Sequence, residues 1–381
     1  MYARAIACFL ALCLLPTLPE APTTVPGFPD AHESPPADWD GPVFHLSQNY
    51  PQHLPPPEVL PWKAYDFRTQ PLEYIGSLLE YAFEGNEDIG WQVQRNPVRK
   101  WYHVPWMQAG DDGREFVHGL TRERDSRPQD LGPRQIRRVQ TWAVGMYNPV
   151  GGYTIGRVWR DPRAPDPAAA AFPEGTVSVK LLFTQASEDE APYLKGAPVW
   201  QANIQDTTGS RRVQDVRLLQ VDMAVRDARA DSTTGWVFGT FIYNADVKAK
   251  TPWRHLVPIG VMWGNDPGVT PADTARQALK ETWINPQARS LVRLGWAGRV
   301  GGPTDNPRSS CLSCHSTAQV PFVRRTAPDK SQPDAEKLTW FRNVRAGSPF
   351  ESEGRSLDYS LSLAVAIEDF LQAQEARPKP K

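Results

Sequence analysis

The nine residues GTVSVKLLF, 175–183, decide the fold of this 381-residue chain. Side chains of a strand alternate between its two faces, so Val177, Val179, Leu181 and Phe183 share one side while Ser178, Lys180 and Leu182 take the other. One side suits a core and the other carries an amine. VQTWAVGMYN (139–148), GYTIGRVW (152–159), VRLLQVDMAV (216–225) and GWVFGTFIYN (235–244) are similarly rich in β-branched and aromatic residues and end at Gly, Pro, Asp or Asn, which predicts strands. Strands in succession without intervening helices predict an antiparallel sheet, and the chain reads as α+β, mainly antiparallel sheet with a few helices. In VDMAVRD (221–227), Val221, Met223 and Val225 share a face and leave Asp222, Ala224 and Arg226 on the other. Lys180 and Asp222 are therefore expected on one side of the sheet. The plain alternative is a solvent-facing Lys and Asp on a half-buried sheet.

Outward from this core, RHLVPIGVMWG (254–264) reads as another strand. In PLEYIGSLLEYAFEG (71–85), Leu72, Ile75, Leu78, Leu79, Ala82 and Phe83 recur at helical spacing between Pro71 and Gly85, the pattern of one amphipathic helix. Further helices are expected around 271–283 and within 357–374. Residues 22–61 are proline-dense and read as an extended arm or linker without a core. The layout is then a leader at 1–21, the arm at 22–61, a helix and irregular loops packed on the body at 62–136, and a sheet domain at 137–381. That domain carries a long insertion at about 244–305 and a C-terminal helix. A hydrophobic content of 40% supplies a substantial core, and a formal net charge of −1 gives no field that would recruit nucleic acid or an anionic membrane.

The first residues place Arg4 before an apolar run from Ala5 to Leu15 that ends at Pro16, a secretory signal peptide too short to span a bilayer as a folded helix. A small soluble-export cleavage site is expected near residue 21, and the mature chain is expected to have no transmembrane span. A lipid-anchored reading would want a small residue before Cys13, where Leu12 stands. Cleavage removes Cys8 and Cys13 and leaves Cys311 and Cys314, which lie in CLSCH (311–315). A disulfide over so short a loop staples little. A thioredoxin-like pair wants a strand before it, where GGPTDNPRSS reads as loop. Zinc wants further Cys or His at ligand spacing, and none lies nearby. Cys-x-x-Cys-His is the attachment signature of c-type haem: each thiol forms a thioether and His315 becomes the proximal iron ligand. One covalent haem c is the expected cofactor, and export to the periplasm or beyond agrees with it. After His315 the chain has neither Met nor His, so a sixth ligand would come from Met107, Met146, Met223, Met262, His103, His118 or His255, unless the position stays open.

FPEGTVSVKLLF (172–183), VDMAVRD (221–227), GWVFGTF (235–241) and CLSCH (311–315), in that order, resemble the cytochrome P-460 family and the related β-sheet cytochromes c-prime over the middle third and the haem motif. The resemblance implies a haem held against the sheet. It maps a lysine cross-linked to the porphyrin onto Lys180, a distal carboxylate onto Asp222 and a distal cationic cap onto Arg157, for which a plain surface role is the alternative. Three functions stay open: haem-dependent oxidation of hydroxylamine or another small nitrogen compound, binding of nitric oxide or carbon monoxide without turnover, and electron transfer to a redox partner protein with both axial positions filled.

Overall fold

The computed structural model describes residue 28 and residues 35–376 except 108–114, 207, 275, 290 and 324. The expected signal peptide lies outside the described residues. Among those described, no helix is long and apolar enough to cross a membrane.

An eight-stranded antiparallel sheet forms the centre. In chain order its strands are β1 (Thr121–Arg122), β2 (Thr141–Tyr147), β3 (Val177–Thr184), β4 (Val199–Gln205), β5 (Arg211–Arg226), β6 (Trp236–Tyr243), β7 (Leu256–Met262) and β8 (Thr282–Ile284). Their spatial order is β1-β2-β3-β5-β6-β7-β8, with β4 paired to the first half of the long β5. A second, two-stranded sheet joins β9 (Gln319–Val320) to β10 (Arg355–Ser356). The helices are α1 (Pro71–Phe83), α2 (Pro149–Val158), α3 (Pro271–Thr274), α4 (Cys311–His315), α5 (Asp334–Lys337) and α6 (Leu361–Glu375). A mostly antiparallel sheet with a few helices is the expected class.

Both faces of the sheet are covered. Val177, Val179, Leu181 and Phe183 of β3 join Met146, Val221, Met223, Phe241 and Val261 in one apolar cluster, and Ile75, Leu78, Leu79 and Phe83 of α1 pack into it. Gly239 permits that approach, because a β-carbon there would stand 2.1 Å from Ile75 Cδ1. On the opposite face Tyr147, Ala224, Phe238 and Met262 pack with α2, α4 and α6 through Ile155, Val158, Leu312, Leu363 and Ile367. Alternation along β3 and the second half of β5 therefore assigns successive residues to two chemically different layers.

Several local expectations need correction. Residues 152–159 are not a strand: the Asn148 side chain caps α2 by accepting from the Gly151 N–H at 3.1 Å, and Pro149 fills its first turn. Asn-Pro is a helix-start signal that outweighs the β-branched content after it. The helix expected over 271–283 shrinks to α3, because Thr282–Ile284 pairs with β7 as β8. The last helix begins only at Leu361, where the Ser360 hydroxyl accepts from the Leu363 N–H. Strand β4 had no counterpart in the sequence reading. Leu72 stands exposed on α1, while Tyr74 and Tyr81 turn inward. The proline-dense arm is not without a core: Phe44, Leu46 and Tyr50 are buried, the first in the α1-side cluster and the last in the other.

Candidate functional site

One row of paired residues crosses the sheet: Gly145, Lys180, Asp222, Thr240, Gly260 and Ile284, on β2, β3, β5, β6, β7 and β8. Cross-strand partners point to the same face, and this row lies on the α4 side. Lys180 and Asp222 are direct partners. A β-bulge falls between Thr240 and Phe241, a device that re-aims side chains beside functional sites. Gly145 has open space where a side chain would stand, so the row is hollow next to Lys180.

The Cys-x-x-Cys-His segment is laid along β6. Cys311, Cys314 and His315 have the i, i+3, i+4 spacing that gathers side chains on one face of a helical turn. That turn is fixed at its start by a capping box: the Ser313 N–H donates to the Ser310 hydroxyl at 3.2 Å and the Ser310 N–H donates to the Ser313 hydroxyl at 2.8 Å. Cys311 Sγ lies 3.5 Å from Thr240 Oγ1. One step along β6 on the same face, the Phe238 ring centre is 4.8 Å from that of His315. The other edge of the imidazole is set by Nδ1, 2.9 Å from the Tyr359 carbonyl oxygen. A carbonyl only accepts, so Nδ1 carries the proton and the ring lone pair resides on Nε2. This is the tautomer a proximal iron ligand requires.

Four ionisable groups surround this turn. Lys180 Nζ is 2.7 Å from Glu123 Oε1. Gln220 Nε2 donates to Asp222 Oδ1 at 2.8 Å and to Asp305 Oδ2 at 3.3 Å, tying the two carboxyls together. The Thr304 hydroxyl holds the Gln220 carbonyl at 2.9 Å, and the Gly302 N–H donates to Asp305. Burial first, then the charge of Asp305, push Asp222 up to about 7, against the pull of Lys180, Gln220 and Thr240. Burial likewise raises Asp305. For Lys180 burial acts downward, but Glu123, Asp222 and Asp305 together hold the ammonium above its ordinary value. Burial pushes the Cys314 thiol up to about 11, and raises Cys311 well above its usual value with help from Asp305 and Asp222. Such thiols stay protonated and are poor redox nucleophiles. His315 is lowered to about 4, first by burial and then by Lys180, against the Tyr359 carbonyl, so its imidazole is neutral.

Lys180, Asp222, Asp305, Cys311, Cys314 and His315 are all half-buried and keep some accessible surface. The fit to a covalent haem rests on that remaining access, on the two thiols and imidazole of one turn, and on the His315 tautomer. Cys311 and Cys314 are both free thiols. Among the described residues no group of three or more His, Cys, Asp or Glu side chains is arranged to hold a bare metal ion.

Of the expected site residues, the structure gathers Lys180, Asp222, Cys311, Cys314 and His315. Arg157 is not among them. It lies on α2 with its guanidinium 5.9 Å from the Tyr153 ring, because the Asn-Pro helix start takes it off the sheet. The seven candidate sixth ligands also divide. Met146 and Met223 face the α1 side. His103 and His118 line a small cavity there with Met146 and Trp200, and His255 stacks on Tyr243, a member of that same cluster. Met107 and Met262 pack on the α4 side. Glu123, Gln220, Thr240, Asp305 and Tyr359 escaped the sequence reading. Only Gln220 carried a signal for it, since it lies two residues from Asp222 on the same strand and so shares its face.

The fold and site thus define a protein with a Cys-x-x-Cys-His turn docked on a polar row of an antiparallel sheet. No protein-family model matches the chain, and no curated protein or solved structure does.

Proposed function

We propose that this chain is an exported monohaem c-type cytochrome whose distal side is open for redox chemistry on, or binding of, a small nitrogen compound such as hydroxylamine or nitric oxide. The observation that carries the reading is the docking of the Cys311–His315 turn on the sheet row that bears Lys180 and Asp222. Cys311 and Cys314 would hold the porphyrin through thioethers and His315 would hold the iron. When bound, the haem supplies a redox-active iron that takes a small ligand.

The chain's own residues have separable tasks. His315 keeps its proton on Nδ1, against the Tyr359 carbonyl, and presents a neutral Nε2. Asp222 and Asp305, joined through Gln220, stand close enough in charge that ionising one opposes ionising the other, so near neutral pH they retain a proton between them. A carboxyl titrating near 7 both gives and takes a proton readily, as a relay to a bound nitrogen compound requires. Lys180 is held as an ammonium by Glu123; a cross-link to the porphyrin, which the resemblance implies, requires that amine to lose its proton first. An oxidoreductase would pass its electrons to a redox partner protein.

Electron transfer with both axial positions filled is the second reading, and it would draw on Met107 or Met262, which pack on the α4 side. The optical spectrum of the ferrous protein with and without carbon monoxide tests the choice. An open site gives a shifted Soret band on adding the gas. An unchanged spectrum, with a sulfur-to-iron charge-transfer band in the ferric protein, overturns the open-site reading.

A further inference from the structure

Asp358 and Tyr359 have φ of 48° and 67°, the one adjacent pair of non-glycine residues in the left-handed region among the described residues. One such residue is uncommon, and two in sequence persist only where the surroundings over-determine them. The determinant is the Asp358 side chain, which is buried and accepts from three N–H groups on three separate segments. Its Oδ1 takes the Trp236 indole Nε1–H at 3.0 Å and the Gly347 backbone N–H at 3.2 Å, and its Oδ2 takes the Phe172 N–H at 2.9 Å. The Ser356 hydroxyl accepts from the Asp358 N–H at 3.0 Å, and the Tyr359 hydroxyl donates to the Val344 carbonyl. The strained pair ends on the carbonyl that meets His315 Nδ1.

We propose that Asp358 is a positioning residue: by holding the left-handed Asp358–Tyr359 backbone in place, it delivers the Tyr359 carbonyl to His315 Nδ1 and so sets the tautomer and basicity of that imidazole. Trp236 completes the device, because the strand that supplies Phe238 beneath the His315 ring also supplies the indole donor that anchors Asp358. The consequence for iron rests on the haem reading above. A stronger Nδ1–H bond gives the ring more imidazolate character and makes it a stronger donor to the metal.

Substitution Asp358→Asn tests this, since asparagine tolerates the left-handed region but replaces one of the two accepting oxygens with an NH2 that opposes the N–H donation that oxygen received. In the full chain labelled with 15N-histidine, and with the His315 signals assigned by loss in His315→Ala, the unliganded wild-type ring should be the Nδ1–H tautomer. In Asp358→Asn the tautomer ratio should move at least tenfold toward Nε2–H. In haem-loaded protein the same change should lower the iron–histidine stretching frequency in the resonance Raman spectrum. Trp236→Phe, which removes one donor only, should move both readouts the same way by less, and serves if Asp358→Asn does not fold. Tyr147→Phe, which breaks the Tyr147–Ser360 hydroxyl pair in the same apolar cluster, should move neither. Unchanged ring shifts and stretching frequency in a folded Asp358→Asn protein overturn the proposal. Intact mass reports the haem separately: a wild-type chain without it overturns the cofactor reading, while the ring tautomer still decides the role of Asp358.

Discussion

The two faces of strand β3 are built from alternate residues of one eight-residue segment, yet they do opposite things. Toward α1 it presents Val177, Val179, Leu181 and Phe183, each with no accessible surface, in a cluster of aliphatic and aromatic side chains. Toward α4 it presents Ser178, Lys180 and Leu182, and the Lys180 side chain keeps 33% of its surface beside Glu123. The first face stabilises the fold by removing apolar area from water. The second gathers Lys180 with Glu123, Asp222 and Asp305, and burial opposes the charge of Lys180, Asp222 and Asp305, an arrangement with little to offer stability. The period of two, read along one strand, separates the face that holds the sheet together from the face on which the proposed site is built.

The comparison breaks most visibly on the apolar side. Leu181→Ala should cost about 2–5 kcal/mol, measured by denaturant unfolding, while the optical spectrum of the folded variant stays that of the wild type. A spectrum that moves with Leu181 would mean that the two faces are not independent. Gly239→Ala should cost about 1–3 kcal/mol, because its new methyl meets Ile75 and pushes α1 off the sheet.

On the polar side the expected effects are smaller and depend on pH. The folded-state carboxyl of Asp222 titrates at about 7, against about 3.9 in an unfolded chain. Its contribution to stability is therefore fully present below about pH 4 and is lost as the pH rises through about 7. Asp222→Asn should flatten the fall in stability between these values and leave the variant the more stable protein at pH 8. The gain should be less than the ~4 kcal/mol that so large a displacement would carry in a dry interior, because Asp222 keeps some accessible surface. An unchanged slope would place Asp222 in ordinary solvent. Lys180→Leu should alter stability by no more than about 1 kcal/mol, as a half-exposed ion pair contributes little, but should abolish any abnormal ferrous Soret band. A destabilisation as large as that of Leu181→Ala would erase the contrast between the faces.

The sequence made the sheet legible because period two holds over Val177–Leu182 of β3 and the paired Gln220–Val225 of β5, and the side assigned to Lys180 and Asp222 follows from it. The turn at 311–315 was legible because three reactive residue types in five positions have few uses. Arg157 was misplaced since β-branched residues in GYTIGRVW mimic a strand, while the decisive signal, Asn148-Pro149, sits just before them. Glu123 and Asp305 were invisible for another reason. They come from irregular chain after β1 and after β8 and reach Lys180 and Gln220 through contacts 57 and 85 residues apart, which no local periodicity encodes. Tyr359 contributes a backbone carbonyl, and a carbonyl leaves no mark on residue type.

Whether Cys311, Cys314 and His315 form a covalent haem site is decided by the intact mass of the chain, expressed with a c-type maturation system and extracted with acid acetone. The account predicts a polypeptide that retains one haem, and loses it only when Cys311 and Cys314 are both replaced by Ala. Haem that leaves the wild-type polypeptide in the organic phase, with a residual mass equal to the bare chain, would contradict it.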